Sequence, residues 1–302
     1  IIIGYGVSGL SCAKVAKAKN LNFIVLEKSD SLGGCWNDAL DNTTLQTHRK
    51  FYQYRDFKMP HNYGDYPSKK NVLQYLRTVE SYFNLDKHVK YSQNVNSMEY
   101  SGIWTIKCQD KCQDKYQPNN LEIYQAKYIC VCSGYFSEPY IPPVIDLYRD
   151  RFKGQIYHSS QLNQLKDFQC LEGKKVVIVG NGASACDFLG ALDTKKIKCC
   201  QYMIYRSNKY YITKYIAGLS SSLILTKKVL QFFKHLPTVF YRQLFMGASY
   251  LIFKNFLDLP RDKVNSHNLI GNIIIPNLVR KGELYYLGDT INYLENCEIY
   301  LN

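Results

Sequence analysis

Two short apolar runs, each cut off by a glycine-rich turn, stand out along the chain. Ile1-Ile2-Ile3 ends at Gly4-Tyr5-Gly6-Val7-Ser8-Gly9, and Lys174-Lys175-Val176-Val177-Ile178-Val179 ends at Gly180-Asn181-Gly182-Ala183-Ser184-Ala185. An unbroken apolar run between turn residues predicts a strand buried on both faces, as in a parallel sheet. Each turn is followed by a small-residue helix, Leu10 to Lys19 and Cys186 to Leu192. Each helix leads to a second strand, Asn22 to Leu26 and Gln201 to Tyr205. Between these two blocks the pattern predicts a β-meander from Val95 to Cys132, with strands near Trp104-Thr105-Ile106 and Glu122-Ile123-Tyr124. After the second block, residues 210–259 are apolar and basic, and Pro237 divides them into two expected amphipathic helices.

Strand, glycine turn, helix and strand, occurring twice, predict an α/β chain with two Rossmann-like dinucleotide-binding domains, a β-meander and a helical insertion. The expected domains are 1–150 and 172–302, joined by a linker at 151–171. In the first turn, Gly4 makes the bend, Gly6 lets backbone approach phosphate, and Gly9 lets the helix pack on the strand. Ser8 lies at the helix start, where a pyrophosphate is received. The second strand ends at Glu27, with Lys28 beside it, 21 residues past Gly6. A carboxylate there suits an unphosphorylated ribose, as in FAD.

The second turn has Gly180, Gly182, Ala183 and Ser184, with Ala185 in place of the third glycine. Its second strand ends at Arg206 instead of an acid. A guanidinium at that position neutralises a ribose 2′-phosphate through a planar fork, which points to NADPH over NADH. Ser31-Leu32-Gly33-Gly34-Cys35-Trp36 would lay backbone at Gly34 and the Trp36 indole beside a flavin.

These residues resemble the flavin-containing monooxygenase family. The motifs appear in order: the first glycine turn, Gly33-Gly34-Cys35-Trp36, Phe152-Lys153-Gly154-Gln155-Ile156-Tyr157-His158, and Gly180-x-Gly182-x-Ser184-x-x-Asp187. Thr44-Leu45-Gln46-Thr47, Tyr54-Arg55-Asp56-Phe57-Lys58-Met59-Pro60 and Tyr66-Pro67 are similar to the plant and protist branch. Two positions depart from the pattern: Leu162 stands where an aromatic or Trp is usual, and Gln46 where animal members have a Thr-Asn pair.

The resemblance implies FAD and NADPH as cofactors, with Asp187 in the NADPH site and Gln46 and Thr47 near the flavin ring, Gln46 being the one candidate catalytic side chain. It implies transfer of one oxygen atom from O2 to an amine nitrogen or a sulfide through a flavin hydroperoxide. Baeyer-Villiger oxygenation and a catalytically inactive nucleotide-binding scaffold are the alternatives. It also implies a C-terminal return segment of the FAD domain beyond Asn302, so the chain is expected to be a fragment.

Composition changes this picture little. The chain has 302 residues, 46% of them apolar, and a net charge of +13 from 38 basic and 25 acidic residues. No nucleic-acid motif accompanies that charge, so no nucleic-acid partner is expected. The partners expected are a small nucleophilic substrate and O2. In 210–259, Lys227, Lys228, Lys234, Arg242 and Lys254 flank apolar residues, which leaves open a helical cap or a peripheral membrane contact. The expected location is the cytoplasm or the endoplasmic reticulum membrane surface. Eleven cysteines without a C-x-x-C pair predict no metal site, and most are expected to be small buried hydrophobes.

Overall fold

A computed structural model describes residues 1–110, 121–165, 167–207, 209–216, 218–224, 269–288, 291–295 and 298–301. The chain divides into two compact units. The first comprises Ile1–Asp41, Gln53–Tyr63 and Pro67–Pro139, and the second Asn42–Tyr52, Gly64–Tyr66 and Tyr140–Asn302.

The first unit is built on a parallel sheet of β1 (Ile2–Ile3), β2 (Val25–Leu26), β3 (Val89–Lys90) and β7 (Cys130–Val131), in the order β3-β2-β1-β7. Ile2 sits in register with Val25 on one side and Cys130 on the other, so the apolar run is central in its sheet, as its lack of alternation requires. Helix α1 (Val7–Ala18) packs Leu10 and Ala13 inward, and both are fully buried. Helix α2 is the single turn Cys35–Asp38.

Helix α3 (Lys69–Tyr82) is capped by Ser68, whose side chain accepts from Asn71 N–H, and it buries Val72, Tyr75, Leu76 and Val79. That i, i+3, i+4, i+7 spacing gives one apolar stripe, and its side chains add the usual ~1.5–3 kcal/mol each on burial. The meander is the antiparallel sheet β4 (Gln93–Tyr100), β5 (Trp104–Asp110) and β6 (Leu121–Ala126), whose Ile106 and Cys108 pack with Leu26.

In the second unit, α4 (Pro143–Tyr148) precedes a parallel sheet of β8 (Lys175–Val179), β9 (Cys200–Tyr205) and β14 (Leu284–Gly288), in the order β14-β9-β8. Helix α5 (Ala183–Thr194) follows β8 and packs on α7 (Ile274–Lys281). Gly282, at φ 73°, takes the left-handed C-cap that ends α7. Strand β10 (Tyr210–Tyr211) pairs with β13 (Leu269–Ile270), β11 (Tyr215–Ile216) forms a hairpin with β12 (Leu219–Ser220), and α6 is Ser221–Ile224. Strands β15 (Ile291–Glu295) and β16 (Glu298–Leu301) form a last hairpin.

Two expectations need correction. The strand expected over Asn22–Leu26 is reduced to Val25–Leu26: Ile24 O still accepts from Ile2 N, but Leu21 and Asn22 are exposed and pair with nothing in the sheet. The helical insertion expected from 210 does not begin there. Tyr210, Tyr211, Tyr215 and Ile216 are strand formers, and Gly218, at φ 79°, lies between β11 and β12 of the hairpin. The rest of that stretch, 225–259, lies outside the described residues.

Candidate dinucleotide sites

Close backbone approach accounts for the glycines of the first turn. A Cβ on Gly9 would sit 1.9 Å from Gly4 O, and one on Gly4 would sit 2.5 Å from Cys132 O. Gly6 and Gly34 face each other, with a Cβ on Gly34 falling 3.1 Å from Gly6 Cα. A Cβ on Gly34 would be crowded there, whereas one on Gly6 would meet Gly34 Cα at 3.5 Å, an ordinary contact. Gly6 is the extended N-cap of α1 and no side chain caps the helix, so its first amides are left for an anion. Ser8 is exposed on that first turn.

Glu27 closes β2 and is 4% exposed; its Oε2 accepts from Tyr5 N–H at 2.5 Å and its Oε1 from Ser29 N–H at 2.8 Å. The carboxylate is thus pinned against the glycine turn, and each oxygen keeps acceptor capacity for a ribose hydroxyl. Lys28 is exposed beside it, and Trp36 is half-buried in α2. The residues present fit an adenine dinucleotide.

The second turn has the same local form and more room. Gly180 has φ 104°, and a Cβ on Gly182 would meet nothing within 4 Å. Gly182 is the N-cap of α5, again with no side-chain cap, and Ser184 is exposed on the first turn beside Ala183. Buried Asn181 fixes the loop from beneath: its Nδ2 donates to Ser207 O at 3.0 Å and to Tyr286 Oη at 2.8 Å, and its carbonyl accepts from Tyr211 Oη at 3.1 Å. Arg206 is exposed just past the end of β9 and makes no ion pair among the described residues. The residues of this turn fit a phosphorylated dinucleotide.

Segment 42–47 belongs to the second unit and meets α5 at Asp187. Asn42 Nδ2 donates to Asp187 O at 2.7 Å, and Thr43 Oγ1 donates to Asp187 Oδ2 at 3.1 Å. Burial pushes the Asp187 carboxyl up to about 6, against the Thr43 hydrogen bond and the Lys214 charge. Burial likewise pushes Lys214 down, against Asp187 and Tyr66, which favour its charged form.

Lys214 Nζ donates to Thr44 Oγ1 and lies 5.1 Å from the centre of the Tyr66 ring. Gln46 Oε1 is buried without a hydrogen-bond partner among the described residues, and Thr47 is exposed. Sequence reasoning marked Asp187, Gln46 and Thr47 but missed Thr43, Lys214 and the role of Tyr66. Lys214 carries no local signal, being one of 38 basic residues.

His158 is satisfied locally, with Nδ1 2.9 Å from Ser160 Oγ and its backbone N–H donating to Gln161 Oε1. Leu162 is 9% exposed and serves the core. Among the described residues no group of three or more His, Cys, Asp or Glu is placed to hold a metal. The nine described cysteines are free thiols. Only Cys108 and Cys186 are buried, whereas Cys35, Cys130, Cys170 and Cys200 are exposed, so most are not the core hydrophobes expected.

Two uncapped helix N-termini behind glycine turns, one sheet ending in Glu27 and the other in Arg206, agree with the comparison to known proteins. The sequence matches the Flavin-binding monooxygenase-like family over residues 1–302. The chain belongs to that family.

This flavin-binding monooxygenase-like chain is 27% identical over 226 residues to the probable indole-3-pyruvate monooxygenase YUCCA1 of Arabidopsis thaliana, covering 73% of the chain and 50% of that protein. It is 30% identical over 258 residues to the putative flavin-containing monooxygenase 2 of the same plant, covering 74% and 54%. It therefore spans about half the length of these curated relatives. Among solved structures, the OTEMO complex with FAD and NADP aligns with a TM-score of 0.73 at 14% identity, covering 99% of this chain and 67% of that one. The α/β fold with two dinucleotide-binding domains expected from the glycine turns is the fold of these neighbours.

Proposed function

We propose that the protein is an FAD- and NADPH-dependent monooxygenase that places one oxygen atom of O2 on a soft nucleophile, an amine nitrogen or a sulfide sulfur. The observation that carries this reading is the pair of open helix N-termini, one followed by buried Glu27 and the other by exposed Arg206. In this reading the first unit holds FAD, with Gly4, Gly6, Ser8 and Gly9 under the pyrophosphate, Glu27 and Lys28 at the ribose, and Gly34 and Trp36 beside the flavin. The second holds NADPH, with Gly180, Gly182, Ala183 and Ser184 at the pyrophosphate, Asp187 below them in α5, and Arg206 at the 2′-phosphate. Gln46 and Thr47 serve the flavin ring; Gln46 Oε1 is buried with no hydrogen-bond partner among the described residues, and an amide oxygen can accept from a ring N–H.

The redox chemistry would come from bound FAD, reduced by hydride from NADPH, with one oxygen atom of O2 delivered to the substrate and the other leaving as water. The chain's own work is to bind both dinucleotides, hold them in register and exclude water. No side-chain nucleophile is needed.

The name of YUCCA1 puts its reaction on a 2-oxo acid, so oxygen insertion at a carbonyl, of Baeyer-Villiger type, is the second reading. No helix among the described residues is long and apolar enough to cross a membrane; peripheral contact through 210–259, in the cytoplasm or at the endoplasmic reticulum, rests on the sequence alone. The test is turnover of the full-length protein with NADPH and isotopically labelled O2. One labelled oxygen in a sulfoxide or amine oxide supports the first reading and a labelled ester the second; consumption of NADPH with no labelled product counts against both.

A further inference from the structure

We propose that Asp187 is a positioning residue for this reaction: its ionised carboxylate fastens segment 42–44 to α5 and holds Lys214 in place, thereby fixing Gln46 and Thr47. The inference rests on the FAD and NADPH reading above and adds to it a role for a carboxylate that touches no reacting atom.

Two hydrogen bonds join the segment to the helix, one from Asn42 to the Asp187 backbone and one from Thr43 to its side chain. A third holds the next residue, Thr44, to Lys214. Lys214 is the charged group that acts on Asp187 among the described residues, and Asp187 in turn helps to keep Lys214 protonated despite burial. The chain from Asp187 through Thr43 and Thr44 to Lys214 is thus closed by opposite charges at its two ends.

Tyr66 locks the far side: its hydroxyl donates to Lys214 O at 2.6 Å and lies 2.7 Å from Ser220 Oγ. Gln46, two residues past Thr44, lies close to Gly271, where a Cβ would fall 2.9 Å from Gln46 O. Among the described residues Asp187 and Tyr66 are the groups that favour the charged form of Lys214, and Asp187 is the carboxylate of the two. Cys186 beside it is a thiol pushed up to about 12 by burial, and Asn42 and Thr43 are neutral. Protonating Asp187 therefore weakens the Thr43 bond and removes the countercharge of Lys214 together, and the segment carrying Gln46 and Thr47 loosens.

The test is the rate of flavin reduction by saturating NADPH in the full-length holoprotein as a function of pH, together with a carbon NMR titration of the Asp187 carboxyl in the cofactor-free protein. Wild type should lose roughly tenfold or more in rate on acidification, the size a small misplacement of reacting groups costs. The midpoint should lie at about 6 and match the carboxyl titration. Asp187→Asn should abolish that limb and stay near the low rate throughout. Thr43→Val should move both the limb and the NMR titration to higher pH, and Thr43→Ser should restore them.

A wild-type limb retained in Asp187→Asn, or a carboxyl titration unmoved by Thr43→Val, overturns the proposal. If Asp187→Asn does not fold, the Thr43 pair still decides it. Wild-type protein that NADPH does not reduce at any pH would sink the functional reading, leaving the NMR titrations to judge the network.

Discussion

Gly9, the third glycine of the first turn, and Gly182, the second glycine of the other, should respond differently to an added side chain. A Cβ on Gly9 has no space, being 1.9 Å from Gly4 O, so Gly9→Ala should lose several kcal/mol of stability, on the scale of severe overpacking. A Cβ on Gly182 meets nothing, so Gly182→Val should fold with a nearly unchanged melting temperature while its side chain fills the space above the helix N-terminus. Retention of wild-type NADPH affinity in Gly182→Val would contradict the placement of the second dinucleotide.

Glu27→Gln exchanges one acceptor oxygen for an amide donor and leaves the N–H of Tyr5 or Ser29 unpaired, at a cost of about 1–3 kcal/mol. It should also release FAD more readily, which gel filtration and flavin absorbance would read. Arg206→Gln should raise the KM for NADPH roughly ten- to a hundredfold and leave that for NADH unchanged, the worth of one charge-assisted pair. Glu27 and Arg206 were legible in the sequence because each sits at the end of an apolar run after a glycine turn. Thr43 and Lys214 were not, because their partners lie 144 and 170 residues away and no local pattern records such a contact.

Elements bounded by glycine turns were the easiest to read. The β8–α5–β9 block was visible because an apolar strand, a glycine turn and a small-residue helix each leave a local mark. The hairpin at 215–220 was hidden inside a long apolar and basic stretch, where composition suited a helix and only Gly218 and the strand formers Tyr215 and Ile216 argued for strands.

Helix α5 also supplies the clearest pH effect on stability. Burial raises the Asp187 pKa in the folded chain from 3.8 to about 6, so the folded state holds its proton more tightly than the unfolded chain does. Stability from this group is therefore fully present below about pH 4 and is lost as pH rises to about 6, on the order of 3 kcal/mol. Asp187→Asn, which cannot ionise, should be the more stable protein above about pH 6, by up to that amount, and should match wild type below about pH 4. Urea melts at both ends of that range would check it; equal stability at every pH would mean that burial does not hold the proton.

At the scale of the molecule, the repeat of the glycine turn announced two nucleotide-binding domains, and the parallel sheets of the two units carry those turns. The path of the chain between them was not legible. Residues 42–52 and 64–66 fall early in the sequence yet belong to the second unit, through hydrogen bonds to α5, Lys214, Ser220 and Ser222. Such an excursion is a matter of tertiary contact and leaves hydrophobic periodicity unchanged.

The central claim is that one unit holds a flavin and the other a nicotinamide. Its most direct test is the visible absorption spectrum of the purified full-length protein before and after anaerobic addition of NADPH. The account predicts a bound-flavin spectrum that bleaches with NADPH, bleaches far more slowly with NADH, and returns on admission of O2. A folded protein that carries no flavin and takes none up, or a bound flavin that NADPH does not bleach, would contradict it.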